Sequence, residues 1–153
     1  MKLYLMRHGD AVGPHEDPDR SLSAQGKLDV GKIAQFLKRA RVQASEIFHS
    51  DKKRAKETAI LVKSLINLPA KLTQRDCLGP DDPIDMIFNE LTDRQEDLLI
   101  VGHLPFLPRL ISKLVVGEED KHVISLGTGT VVAMYRDASR HWQIVWVVSP
   151  ELA

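Results

Sequence analysis

Cysteine is nearly missing from this sequence: Cys77 is the only one in 153 residues. That excludes an internal disulfide and every cysteine-rich zinc motif, and it makes a reducing compartment the simpler expectation. Net charge is missing as well. The 21 basic and 21 acidic residues cancel, so nucleic acid and acidic membranes gain nothing from bulk electrostatics, and any anion site has to be built locally. Long apolar runs are also absent. The opening run, LYLM between Lys2 and Arg7, is far shorter than the about 20 residues of a spanning helix and too short for a signal peptide. There is no internal repeat, low-complexity tract or linker. These absences predict a cytoplasmic protein folded as a single domain over residues 1–153, of ordinary size and able to bury its own core.

The order of elements is the informative part of what is present. Residues 2–7 read as a buried strand, followed by the polar loop GDAVGPHEDPDRSL. Ser23 is placed to cap a helix whose Val30, Ile33, Ala34 and Leu37 fall at helical spacing through about residue 40. EIFHS, at 46–50, predicts a second strand, and Ser50 is expected to cap a helix with Ala55, Thr58, Ala59, Val62, Leu65 and Ile66 on its inner face. That helix should end near Asn67, before Pro69. AKLTQRD predicts an edge strand, and a short helix is expected around DDPID, with Asp82 as cap and Pro83 in the first turn. DLLIVGH reads as an apolar strand. The following LPFLPRLISKLVV predicts a helix that tolerates Pro105 and Pro108 in its opening turn and buries Leu107, Leu110, Ile111 and Leu114. TVVAMYRD and HWQIVWVVS close the chain as two β segments separated by a polar turn. Alternation of this kind predicts an α/β three-layer sandwich, with a mostly parallel sheet and helices on both faces.

In such a sheet ligands collect beyond the carboxyl ends of the strands. Arg7 and His8 stand at the carboxyl end of the first strand, His103 at the carboxyl end of DLLIVGH, and Arg54 in the first turn or so of the helix after EIFHS. Taken singly, each has a plainer reading. His8 fits a structural or exposed histidine, Arg54 a solvated helix residue within DKKRAKE, and His103 a cap on the helix that starts at Leu104. Brought to one edge, and joined there by helix N-termini, the four suit a phosphoryl group. His15, His49, His122 and His141 show no partner pattern and are expected to be structural or exposed.

Arg7-His8-Gly9 after an N-terminal strand resembles the RHG signature of the histidine phosphatase superfamily, the phosphoglycerate mutase-like fold. SLSAQG at 21–26, SDKKRAKETA at 50–59 and VGHLP at 101–105 resemble further segments of that family in the same order, so the likeness spans essentially the whole chain. RHG, RAxETA and GHxP together are far more specific than RHG alone. RHGDA and WxxSP, at Trp146 to Pro150, look most like the SixA-type phosphohistidine phosphatases.

The resemblance implies a phosphatase that works through a covalent phosphohistidine on His8 and needs no metal or other cofactor. The histidines also lack zinc-site spacing. Neutral imidazole is a competent nucleophile near pH 7. Guanidinium groups bind phosphoryl oxygens bidentately, the task expected of Arg7 and Arg54. His103, if protonated in the complex, would supply another donor. Gly9 is expected to let the backbone pass close to the phosphate, and Ser23, Asp81 and Asp82 complete the expected substrate-binding set.

Two departures bear on the substrate. Many members of the superfamily carry a glutamate general acid in the segment that here reads RDCLGPDDPID, which has only Asp76, Asp81 and Asp82 to offer. That gap favours a leaving group needing little help, and imidazole, with a conjugate-acid pKa of about 6.5, is one. Asp51 stands where proline is frequent and puts a carboxylate near the pocket mouth. The chain also has little room for the lid that sugar phosphatases carry. The expected substrate is therefore phosphohistidine on a phosphotransfer or phosphocarrier protein, with no nucleic-acid or membrane partner. A small phosphomonoesterase using the same nucleophile and a phosphate-binding module without turnover are the alternatives.

Overall fold

The sheet grows outward from the two most apolar strands. In the computed structural model, which describes residues 1–153, β1 (Lys2–Arg7) lies beside β4 (Leu98–Gly102). Both are buried on both faces, so neither alternates with polar residues. The full order is β3-β2-β4-β1-β5-β6, with β2 at Glu46–His49 and β3 at Lys71–Gln74. β5 (Val131–Arg136) and β6 (Trp142–Val148) form a hairpin, and β5 runs antiparallel to β1. The other four strands are parallel, so the sheet is mixed and mostly parallel.

Successive side chains on each strand feed opposite layers. Tyr4, Met6, Ile47, Leu99 and Val101 pack with α1 (Ala24–Arg39) and α2 (Lys53–Ile66). Leu3, Leu5, Phe48, Leu98 and Ile100 pack with α3 (Asp85–Asp93) and α4 (Phe106–Val116). Leu5 and Ile100 are wholly buried, and truncating either to alanine is expected to cost about 2–5 kcal/mol. Helices thus cover both faces, as expected. No helix is long and apolar enough to cross a membrane.

Three local expectations need correction. Ser50 does not cap α2. The helix starts at Lys53, with Lys52 as a cap that makes no side-chain bond; Ser50 lies two residues before that cap, and its hydroxyl meets Lys52 N and, across the sheet, His103. Asp82 does not cap α3 either: its carboxylate accepts from Gly79 N at 2.7 Å and closes the preceding loop, while Ile84 stands at the cap. Leu65 is 47 % exposed, since it lies at the margin of the stripe that Ala55, Thr58, Ala59 and Val62 define. Other boundary signals hold. Ser23 Oγ accepts from Gly26 N at the start of α1, and Asn67 ends α2 in the left-handed conformation.

Register fixes where the chemistry goes. Arg7 pairs with Gly102, and His49 with Val101, so His8, Ser50 and His103 all emerge at one carboxyl edge.

Candidate active site

His8 is held on three sides by backbone. Its N–H extends the ladder to Gly102 O at 3.0 Å, and its carbonyl accepts from Gly129 N at 3.0 Å. Nδ1 lies 2.7 Å from Gly9 O. A carbonyl only accepts, so Nδ1 carries the hydrogen and Nε2 keeps its lone pair. Arg54 Nε donates toward that Nε2 at 3.3 Å. Thr58 links the two segments: its Oγ1 accepts from Gly9 N at 3.0 Å and donates to Arg54 O at 2.7 Å. The RHG loop and the first turn of α2 are thereby one hydrogen-bonded unit.

Gly9 is explained by packing. A Cβ there would lie 2.7 Å from Val30 Cγ2 and 3.2 Å from Leu22 Cδ2, so the direction left free by glycine is filled by α1 and the segment leading into it. The expectation that glycine makes room for phosphate gives way to this one. Gly26 answers the same demand from the other side, because a Cβ there would overlap the Asp10 carbonyl oxygen.

The electrostatics are those of a cationic pocket whose nearest carboxylates, Asp10 toward Arg7 and Asp51 toward Arg54, offset its charge only in part. Burial and then the nearby Arg54, Arg7 and Arg20 lower the His8 pKa to about 4, against the opposing pull of the Gly9 carbonyl. For His103, burial comes first and then His8, Arg54, Lys52 and Arg7, which together lower it to about 3. Both rings are therefore neutral at pH 7 in the ligand-free protein. Arg7 and Arg54 are also shifted down, chiefly by burial. Arg7 Nη1 donates to Leu126 O at 2.9 Å, but its Nε has no partner, and neither does His103 Nδ1. Buried polar atoms are almost always satisfied. Two exceptions at one strand edge, beside two arginines, describe a site shaped for an anion.

His8 and His103 lie with ring centroids 5.0 Å apart, so the structure brings together Arg7, His8, Arg54 and His103. Ser23 has other work, capping α1 and donating to Asp10 Oδ2 at 2.6 Å. Asp81 is exposed. Asp82, with Asp76 and Cys77, lines a separate cavity that meets the Arg54 cleft only at Gln74. Asp51 does line that cleft, where its carboxylate stands 3.6 Å from Lys52 Nζ. His49 is buried, with Nδ1 2.7 Å from Ser50 O, and His15, His122 and His141 are exposed. Among the residues facing the site, Arg20 carries no signal in the sequence. It lies in a loop without periodicity, yet it lines the Arg54 cleft of about 630 Å³. Asp17 secures that loop to α2 through Lys53 Nζ at 3.1 Å, and Arg20 Nε donates to Val12 O at 3.1 Å.

Comparison with known proteins agrees with this geometry. The family model described as histidine phosphatase superfamily (branch 1) matches residues 3–76. Phosphohistidine phosphatase SixA of Escherichia coli (strain K12) is 26% identical over 155 residues, covering 98% of this chain and 94% of that one. The tungstate complex of the protein histidine phosphatase SixA superposes with a TM-score of 0.86 at 26% identity, covering 98% of this chain and 97% of that one. The α-ribazole phosphatase of Shigella flexneri shares the fold, with a TM-score of 0.77 at 18% identity over 98% of this chain and 97% of that one. Strand order, motif order and these likenesses coincide: residues 3–76 are similar to the histidine phosphatase superfamily (branch 1), and the protein is a phosphatase similar to SixA over nearly its whole length.

Proposed function

We propose that this phosphatase removes phosphate from phosphohistidine on a protein partner, with His8 as nucleophile. The observation that carries the reading is the His8 ring itself. Its Nε2 lone pair faces Arg54, and the charged side chains that weigh most on it are all cationic. In the first step Nε2 attacks phosphorus and the P–N bond to the substrate imidazole breaks; the departing nitrogen takes the electron pair of that bond, and the proton already on the substrate's other ring nitrogen makes the product a neutral imidazole. Water then attacks the phosphorylated His8, releasing inorganic phosphate and restoring the ring. Arg7 and Arg54 hold the oxygens that gather charge. A low pKa at His8 helps both halves: the ring is neutral for attack, and it leaves readily in the second step.

The substrate class follows from what surrounds the leaving group. With no glutamate in the RDCLGPDDPID segment and with Asp76 and Asp82 in a separate cavity, the site suits an imidazole, which departs from a protonated phosphoramidate unaided, better than an alkoxide, which needs a proton donor. Similarity to E. coli SixA supports the same class. A phosphotransfer or phosphocarrier protein in the cytoplasm is the fitting partner, since an open cleft beside Arg54 admits a side chain displayed on another surface. No step in this scheme calls on a metal.

Phosphate release from a histidine-phosphorylated phosphotransfer protein should far exceed release from p-nitrophenyl phosphate, and His8→Ala should abolish both while the fold survives by circular dichroism. Preference for the ester would overturn the substrate class. Near wild-type activity in His8→Ala would remove the nucleophile, and no turnover of either compound would leave a binding module.

A further inference from the structure

His103 has been described so far by what is missing: its Nδ1 is buried and unpartnered. The other ring nitrogen is well served. Nε2 lies 2.6 Å from Ser50 Oγ, and both residues are almost completely buried, at 1 % and 0 % exposure. The direction of that hydrogen bond follows from the hydroxyl's own hydrogen. Ser50 Oγ accepts from Lys52 N at 3.2 Å and keeps one lone pair and its single hydrogen; for that buried hydrogen His103 Nε2 is the acceptor within reach. Were Nε2 to carry the hydrogen instead, the buried serine hydrogen would lose its acceptor, and a bare Nδ1 lone pair would face any anion bound beside His8.

We propose that Ser50 is a positioning residue that fixes His103 in the tautomer with hydrogen on Nδ1, so that a neutral His103 donates to an oxygen of the transferring phosphoryl group. The inference rests on the reading of this pocket as a phosphoryl site, and it extends that reading. It removes the need for a protonated His103 in a place where the facing groups from every side, Arg7 and His8 at the end of β1 and Lys52 and Arg54 at the start of α2, oppose a further positive charge. It also accounts for the serine at the end of β2. The parallel register His49 to Val101 sets Ser50 beside the turn that carries His103, and a hydroxyl is the smallest group there that can accept from the start of α2 and donate to the ring.

The first test needs no substrate. In the ligand-free wild-type protein, long-range ¹H–¹⁵N correlation spectra should show His103 neutral, with Nδ1 protonated and Nε2 as hydrogen-bond acceptor; an Nε2-protonated ring would overturn the proposal whatever the true substrate is. Ser50→Ala should lose that signature and lower kcat by about tenfold or more, short of the roughly 10²–10³ that deletion of a whole charge-stabilising donor costs, with little change in KM. Ser50→Thr, which keeps the hydroxyl, should restore both the spectrum and kcat. Ser50→Ala with an unchanged tautomer and unchanged kcat would refute the positioning role. Failure of the phosphohistidine substrate alone would show as absent turnover in wild type with the predicted tautomer intact.

Discussion

Gly26 and Gly31 lie on the same helix, and the same substitution should have opposite effects at the two positions. A methyl at Gly31 meets nothing within 4 Å. Gly31→Ala should therefore stabilise the protein by about 0.5–1 kcal/mol, the entropy that glycine loses in a helix. At Gly26 the methyl would overlap the Asp10 carbonyl oxygen and come within 2.9 Å of both Asp10 C and Asp10 N. The governing contact is with the Asp10 oxygen, and because Cβ contacts under 3.0 Å are essentially unknown the chains must part by about an ångström. Backbone cannot rotate away as a side chain can. Overpacking of this kind costs about 1–3 kcal/mol, and because the propensity gain is common to both variants, the difference between them isolates the clash. The displaced residue also matters to the site. Asp10 O accepts from Ser23 N at 2.9 Å, and Asp10 stands two residues after His8, so Gly26→Ala should lose activity along with stability. Paired urea and thermal melts measure the effect, with about 2–4 °C in Tm expected per kcal/mol at this chain length. Equal stability of the two variants would refute the reasoning.

Two further outcomes follow from the site. His8 and His103, with native pKa values of about 4 and about 3, stay neutral where an unfolded histidine, near 6.5, takes up a proton. The unfolded chain therefore binds more protons between about pH 4 and 6.5, and unfolding free energy should rise with pH across that window. An NMR titration of ligand-free protein with a His8 midpoint near 6.5 would contradict this, as would a flat urea midpoint. Thr58→Val should cost about 1–3 kcal/mol by leaving buried Gly9 N unpaired, and it should lower activity by freeing the start of α2 from the RHG loop. Thr58→Ser, keeping the hydroxyl, should retain most of both in the same melts and assays.

The sequence by itself determined the element order and the four groups of the site. Apolar runs such as LYLM and LLIV mark strands buried on both faces, and Val30, Ile33 and Leu37 or Leu107, Leu110 and Ile111 mark helices through a period that a linear reading exposes. Arg7, His8, Arg54 and His103 were legible because each follows such a run at a predictable edge. The tertiary structure decided the rest, because it depends on distances between residues far apart in the chain. Ser50 looks like a helix cap until the register of β2 against β4 sets its hydroxyl 2.6 Å from His103. Arg20 is one polar loop residue among many until the Asp17 and Lys53 contact turns its loop toward Arg54. Gly9 reads as room for a phosphate and Gly26 only as part of SLSAQG, whereas at each another segment occupies the space a side chain would need. Periodicity is a local property and survives in one dimension; hydrogen-bond direction, charge convergence and steric exclusion arise only once the sheet has placed its carboxyl edges side by side.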